Sequence, residues 1–252
     1  MNRRRFFRLS AASVGGILVA GAAYRIFRPS DPLHSFHEST KTALAAHFGK
    51  DRAAGMLKDI QAEYAGIAPS VPYIGGKESM FTEWLDYGVY YLAMYRVLKR
   101  IGFSVEQAGE IIYRTYEIMA DYPGWFLNLV RRLKYGKGYV SRLRTAAEES
   151  QGRPYPAGWV CTFVNGDGRD FDYGLDITEC GICKLYAAYN AQELAPYLCL
   201  SDFVVSKAFN RGLVRHYTVA EGNDRCDFRY KTGRETFVYP LRDGWPPRFS
   251  GR

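Results

Sequence analysis

The sequence predicts an α+β domain, with a helical N-terminal half packed on a small antiparallel sheet and two helices inserted between hairpins. Apolar residues recur at three-and-four spacing up to about residue 150, and the period becomes strict alternation after Pro154 and Pro156. The alternating segments then come in two pairs, with helix-patterned sequence between the pairs. At 252 residues, 47% hydrophobic and 15% aromatic, the chain has apolar material for one substantial core.

Residues 1–28 read as an export segment. Asn2-Arg3-Arg4-Arg5-Phe6-Phe7-Arg8 is a basic cap, Leu9 to Ala23 is weakly apolar, and Ala20-Gly21-Ala22 offers a small-x-small cleavage site. Paired arginines followed by a bulky apolar pair and another arginine resemble the twin-arginine signal class. That resemblance implies a folded cargo of the twin-arginine translocase, located in the periplasm or on the outer face of the inner membrane. The apolar run is shorter than the ~20 residues that span a bilayer, so cleavage is expected ahead of retention as an N-terminal anchor. A polar linker, 29–40, leads to a single domain at 41–240, with its helical part at 41–150 and its sheet part at 155–232; 241–252 is a tail rich in Pro, Gly and Arg.

From Phe81 the bulky residues Trp84, Leu85, Tyr91, Leu92, Tyr95 and Leu98 give one apolar helix face. Ser104-Val105-Glu106-Gln107 is a capping box, opening a helix whose inner face is Val105, Ala108, Ile111, Ile112, Thr115 and Met119. Pro123-Gly124 ends it, and a basic amphipathic segment runs from Trp125 to about Lys134. Strands are predicted over Trp159–Val164 and Phe171–Ile177, joined by the turn signal Asn165-Gly166-Asp167-Gly168. Helices follow over about Glu179–Tyr189 and Ala195–Phe209. The last two strands, Leu213–Glu221 and Cys226–Lys231, flank Gly222-Asn223-Asp224.

The formal charge of +8 falls to +4 once Arg3, Arg4, Arg5 and Arg8 are set aside with the export segment. The cluster Arg131, Arg132, Lys134 and Lys137 is explained by a solvated helix face, so nucleic acid is excluded as a partner. A small-molecule substrate remains, and the aromatic-rich helical half is compatible with a homo-oligomer.

The chemistry-bearing residues gather in the second half. Cys180 and Cys183 stand one helical turn apart; Cys199 and Asp202 share a face by the same rule. On the last strand Cys226 points with Phe228, and Asp227 and Arg229 point to the other face. Cys161, alternating with Trp159 and Phe163, reads as core. Buried cysteine often serves only as a small hydrophobe, and export leaves open bridges such as Cys180 with Cys183 or Cys199 with Cys226.

Asp176-Ile177-Thr178-Glu179-Cys180, Glu193-Leu194-Ala195-Pro196 with Cys199-Leu200-Ser201-Asp202, and Arg215, Thr218, Ala220, Gly222 with Cys226-Asp227-Phe228-Arg229 stand in an order that resembles the L-2-amino-thiazoline-4-carboxylic acid hydrolase family. The resemblance covers about residues 75–232. It implies hydrolytic opening of a small cyclic amidine or thioester-like ring that bears a carboxylate. The catalytic set is then Cys180, Cys199, Asp202 and Cys226, and the substrate-binding set Asp227, Arg229, Arg215, Thr218 and His216. Cys180, at a predicted helix start, is best placed for a lowered thiol pKa; Arg229 or Arg215 would clamp the carboxylate; Asp202 or Asp227 would act as general base or orient His216. No cofactor is expected on this reading. The alternatives are an exported zinc or iron–sulfur protein using Cys180, Cys183, Cys199 and Cys226, and a non-catalytic domain that binds a small ligand.

Overall fold

A computed structural model describes residues 34–238. The export-like segment, the start of the linker and the tail lie outside the described residues. The chain divides into two compact units, 1–38 and 39–252; of the first, only the opening of a helix is described.

The helical half begins with α1 (His34–Phe48) and α2 (Lys50–Ile67), separated by Gly49 at φ 82°. In α3 (Met80–Arg100) the Ser79 hydroxyl caps the first turn by accepting from the Phe81 amide at 3.3 Å. The sequence predicts one apolar face here, but Tyr90 through Tyr95 are buried in an unbroken run. Helix α3 is the central rod, with α2, α4 (Val105–Met119) and α7 (Gly181–Ala188) packed around it.

Two glycines set how closely the cysteine-bearing helices approach. A side chain at Gly88 of α3 would run into Ile182 of α7, and one at Gly109 of α4 would meet the Tyr197 ring of α8 (Ala195–Cys199). The capping box opening α4 is present in both directions: the Gln107 amide donates to the Ser104 hydroxyl at 3.3 Å, and the Ser104 amide to the Gln107 side chain at 2.9 Å. Tyr113 and Tyr116 join the predicted inner face, whereas Val105 and Met119 are only half-buried. Helices α5 (Gly124–Lys134) and α6 (Lys137–Ser150) complete this half. No described helix is long and apolar enough to cross a membrane.

The sheet has the order β1-β2-β4-β3 with every pair antiparallel, formed by β1 (Val160–Asn165), β2 (Tyr173–Glu179), β3 (Leu213–Val214) and β4 (Cys226–Tyr230). Two expectations are corrected. The helix predicted over Ala195–Phe209 is two short ones, α8 and α9 (Ser201–Ala208), meeting at Leu200. The predicted strand Leu213–Glu221 pairs over only two residues. From Arg215 the chain leaves the ladder: the His216 and Tyr217 amides donate to the Asp227 carboxylate instead of to a neighbouring strand, and Val219–Glu221 forms a single 3-10 turn.

Candidate functional site

Alternation along β4 sorts the candidates onto two faces. Cys226, Phe228 and Tyr230 are buried on the helix side, in register with Ile177, Leu175 and Tyr173 of β2, while Asp227 and Arg229 turn outward. The Cys226 sulfur accepts from the Val219 amide at 3.3 Å. Thr218 holds that turn: its hydroxyl accepts from the Glu221 amide at 3.2 Å and donates to the Glu221 carboxylate at 2.9 Å. A residue expected to bind substrate is thus a buried cap.

On the same side Arg215 reaches from the end of β3 into the junction of α8 and α9. Its Nη1 donates to the Cys199 carbonyl at 3.0 Å and to Asp202 Oδ2 at 2.6 Å. The guanidinium lies over the Phe203 ring at 4.7 Å and the Phe228 ring at 5.2 Å. Breaking the predicted helix at Leu200 is what exposes the Cys199 carbonyl to this donor.

Cys180 occupies the N-cap of α7. The Cys183 and Ile182 amides do lower its thiol pKa, as a helix start should, but hydrogen bonding to the Cys183 thiol and burial outweigh them and hold it well above the ordinary thiol range. The expectation of a thiolate at Cys180 is therefore corrected. Burial likewise pushes Cys199 up, against the pull of the Arg215 charge, and pushes Cys226 up to about 12. Cys199 feels Arg215, Cys226, Asp202 and Cys180, and Cys226 in turn feels Cys180, Arg215 and Asp202. Asp202 is raised by burial, which prevails over Arg215 and Arg211.

These groups are desolvated, yet Cys180, Cys183 and Cys199 are only half-buried, and the Asp202 side chain keeps 40% of its surface accessible. The hydroxyl of Tyr186 donates to the Gly88 carbonyl at 3.1 Å, and its ring stands near Cys180, Cys183 and Cys199. Tyr116, buried on α4, interacts with Ser201 and Asp202. Cys161 lies apart in the core beside Ser150, its pKa pushed up to about 11 by burial.

The outward residues form a separate cluster. The Asp227 carboxylate accepts from the His216 amide at 2.9 Å and the Tyr217 amide at 2.7 Å, with the His216 ring nitrogen 3.4 Å away. Arg229 Nη1 donates to Asp176 Oδ1 at 2.7 Å and stretches across Gly174, where an added Cβ would lie 2.9 Å from Arg229 Cδ. The structure does not bring Asp227, Arg229 and His216 together with the cysteines.

A further residue in the buried set went unpredicted. Asn210 (φ 51°) and Gly212 (φ 60°) turn the chain sharply after α9, and the Arg211 amide donates back to the Ser206 carbonyl at 2.8 Å. This plants the Arg211 side chain among Tyr135, Tyr139, Tyr173 and Tyr230. The legible signal was a basic residue between two helix-stopping residues. All five cysteines are free thiols, so neither expected bridge is formed. Among the described residues no three His, Cys, Asp or Glu side chains are grouped to hold a metal ion, and the four-cysteine zinc or iron–sulfur set does not fit one. A surface hollow of about 510 Å³ lined by Asp59, Ala62, Glu63, Gly66 and Arg100 shares no residue with this cluster, and its Glu63 is already paired with Arg96 and Arg100.

Comparison with curated proteins and with solved structures finds no match. A family model described as L-2-amino-thiazoline-4-carboxylic acid hydrolase matches residues 86–230, which takes in α4 to β4 and every residue of the buried cluster.

Proposed function

Because the chain belongs to the L-2-amino-thiazoline-4-carboxylic acid hydrolase family, we propose that it hydrolyses a small carboxylated cyclic C–N/C–S compound by adding water to an amidine carbon. The observation that supports this reading is the Asp202–Arg215 pair at 2.6 Å, anchored on the Cys199 carbonyl, with the carboxylate still accessible on its outer side. A carboxylate with raised proton affinity is a competent base once ionised, and Arg215 fixes one oxygen while leaving the other for water.

Asp202 takes one water proton as the oxygen bonds to the amidine carbon, and passes it to the ring nitrogen. The proton of the new hydroxyl follows the same route as the ring C–N bond breaks. One water is consumed, leaving a carbonyl and a free amine. Cys180, Cys199 and Cys226 remain protonated near neutral pH and contribute a soft, polarisable wall.

The test is turnover of L-2-amino-thiazoline-4-carboxylate by the purified full chain, followed by loss of ring absorbance and gain of primary amine. Asp202→Asn should lower kcat by about 10²- to 10⁴-fold with the fold retained. A folded Asp202→Asn protein with full activity, or an inert wild type, overturns the reading. We also propose that the reaction takes place beyond the inner membrane, on the strength of the Arg3-Arg4 pair and the short apolar run behind it. Cell fractionation after replacing both arginines with Lys tests this; unchanged export overturns it.

A further inference from the structure

We propose that Arg211, in its cage of tyrosines, is the seat of the substrate's carboxylate; the assignment rests on the hydrolase reading for the identity of the substrate and on Arg211's own surroundings for the anion. Arg211 is 8% exposed. Its guanidinium carbon lies 4.2 Å from the centre of the Tyr230 ring and 4.3 Å from that of Tyr135, with Tyr139 at 5.6 Å. Nη2 donates to the Tyr173 hydroxyl at 3.1 Å, and Nε is buried with no hydrogen-bond partner.

Ring faces and phenols orient a cation without neutralising it. Among the described residues no carboxylate stands within ion-pair distance of Arg211, in contrast to Arg215, whose charge is met by Asp202 at 2.6 Å. A buried arginine lacking a counter-charge, with an unused N–H, presents the planar fork that a carboxylate fits. The position also suits the reaction. Arg211 lies over the Tyr230 ring and Arg215, which holds Asp202, over the Phe228 ring, and both rings are on the buried face of β4, so an anion on Arg211 sits on the same side of the sheet as the base. Tyr135 and Tyr139 are only half-buried, so the cage lies at the edge of the protein. Of the two clamps expected from sequence, Arg229 is on the other face and engaged with Asp176, and Arg215 is already met by Asp202.

The test compares binding of thiazole-4-carboxylate with that of thiazole, neither of which offers an amidine to hydrolyse, by calorimetry on the full chain. Wild type should bind the carboxylate at least about tenfold more tightly. Arg211→Gln should abolish that preference and Arg211→Lys should keep part of it; near-UV circular dichroism establishes that each variant is folded. If Arg211→Gln does not fold, Tyr173→Phe, which removes the guanidinium's hydrogen-bond partner, should still narrow the preference. A carboxylate preference that survives in folded Arg211→Gln, or is absent in wild type, overturns the assignment. Arg211-dependent binding in a protein that turns over no cyclic amidine would uphold the anion seat and overturn the hydrolase reading, so the two fail separately.

Discussion

Arg215 and Asp202 meet at 2.6 Å on the inner side of the sheet, the arginine almost wholly buried and the carboxylate partly accessible. The asymmetry decides which partner suffers when the pair is broken. Asp202→Ala leaves a guanidinium in an apolar slot between Phe203 and Phe228 with only the Cys199 carbonyl to receive it. The expected loss is about 2–3 kcal/mol, below the usual range for a fully buried pair because Asp202 is partly solvated. Arg215→Met fills the slot with apolar volume and should cost less. Urea unfolding of the two variants checks the order, and an equal loss would mean the pair is symmetric after all.

The pH dependence follows from the raised Asp202 pKa. A base works only when ionised, so the acid limb of kcat/KM should lie above the ordinary aspartate value of about 3.9. For stability the sign is fixed by proton uptake. Between the unfolded and the raised folded pKa the native state binds more protons, so this group's contribution is complete at low pH and is lost as pH rises through the folded value. Asp202→Asn should flatten both the activity limb and that part of the stability profile. A limb at or below the ordinary value would show that Asp202 is not the group being titrated.

The division of labour between the two sheet faces was legible only in part. Alternation along Cys226-Asp227-Phe228-Arg229 correctly put the thiol on one side and the charged pair on the other, because strand geometry leaves no choice. What one strand cannot reveal is the partner across the ladder: Arg229 goes to Asp176 of β2, and Asp227 caps the His216 and Tyr217 amides. The short β3 was equally hidden, since it depends on Asp227 taking the His216 and Tyr217 amides. Arg211 was invisible for the same reason: its cage is drawn from Tyr135, Tyr139, Tyr173 and Tyr230, far apart in sequence. The capping box at Ser104, which needs only residues three apart, was readable outright.

Asp227 is therefore expected to matter for stability and not for chemistry. Asp227→Ala removes the acceptor for two backbone amides at 2.9 and 2.7 Å and should destabilise by about 1–3 kcal/mol. Turnover per folded molecule should be preserved. A collapse of kcat with unchanged stability would move Asp227 into the reaction.

Thiol chemistry separates a soft wall from a nucleophile. Hydrogen bonding to the Cys183 thiol together with burial raises Cys180, burial raises Cys199 and Cys226, and none has a cation strong enough to reverse it. At pH 7 the thiolate fraction at each is far below that of a free cysteine, so iodoacetamide should label the native protein more slowly than it labels glutathione, with the rate still climbing above about pH 9. Each substitution then reads out differently. Cys199→Ser keeps a small polar group beside the Arg215–Asp202 pair and should retain most of kcat, whereas Cys199→Phe crowds that pair and should raise KM or abolish turnover. If a single thiol reacted faster than glutathione at pH 7, and its Ser variant lost kcat without change in KM, the sulfur would be attacking the amidine carbon and Asp202 would be serving it rather than water.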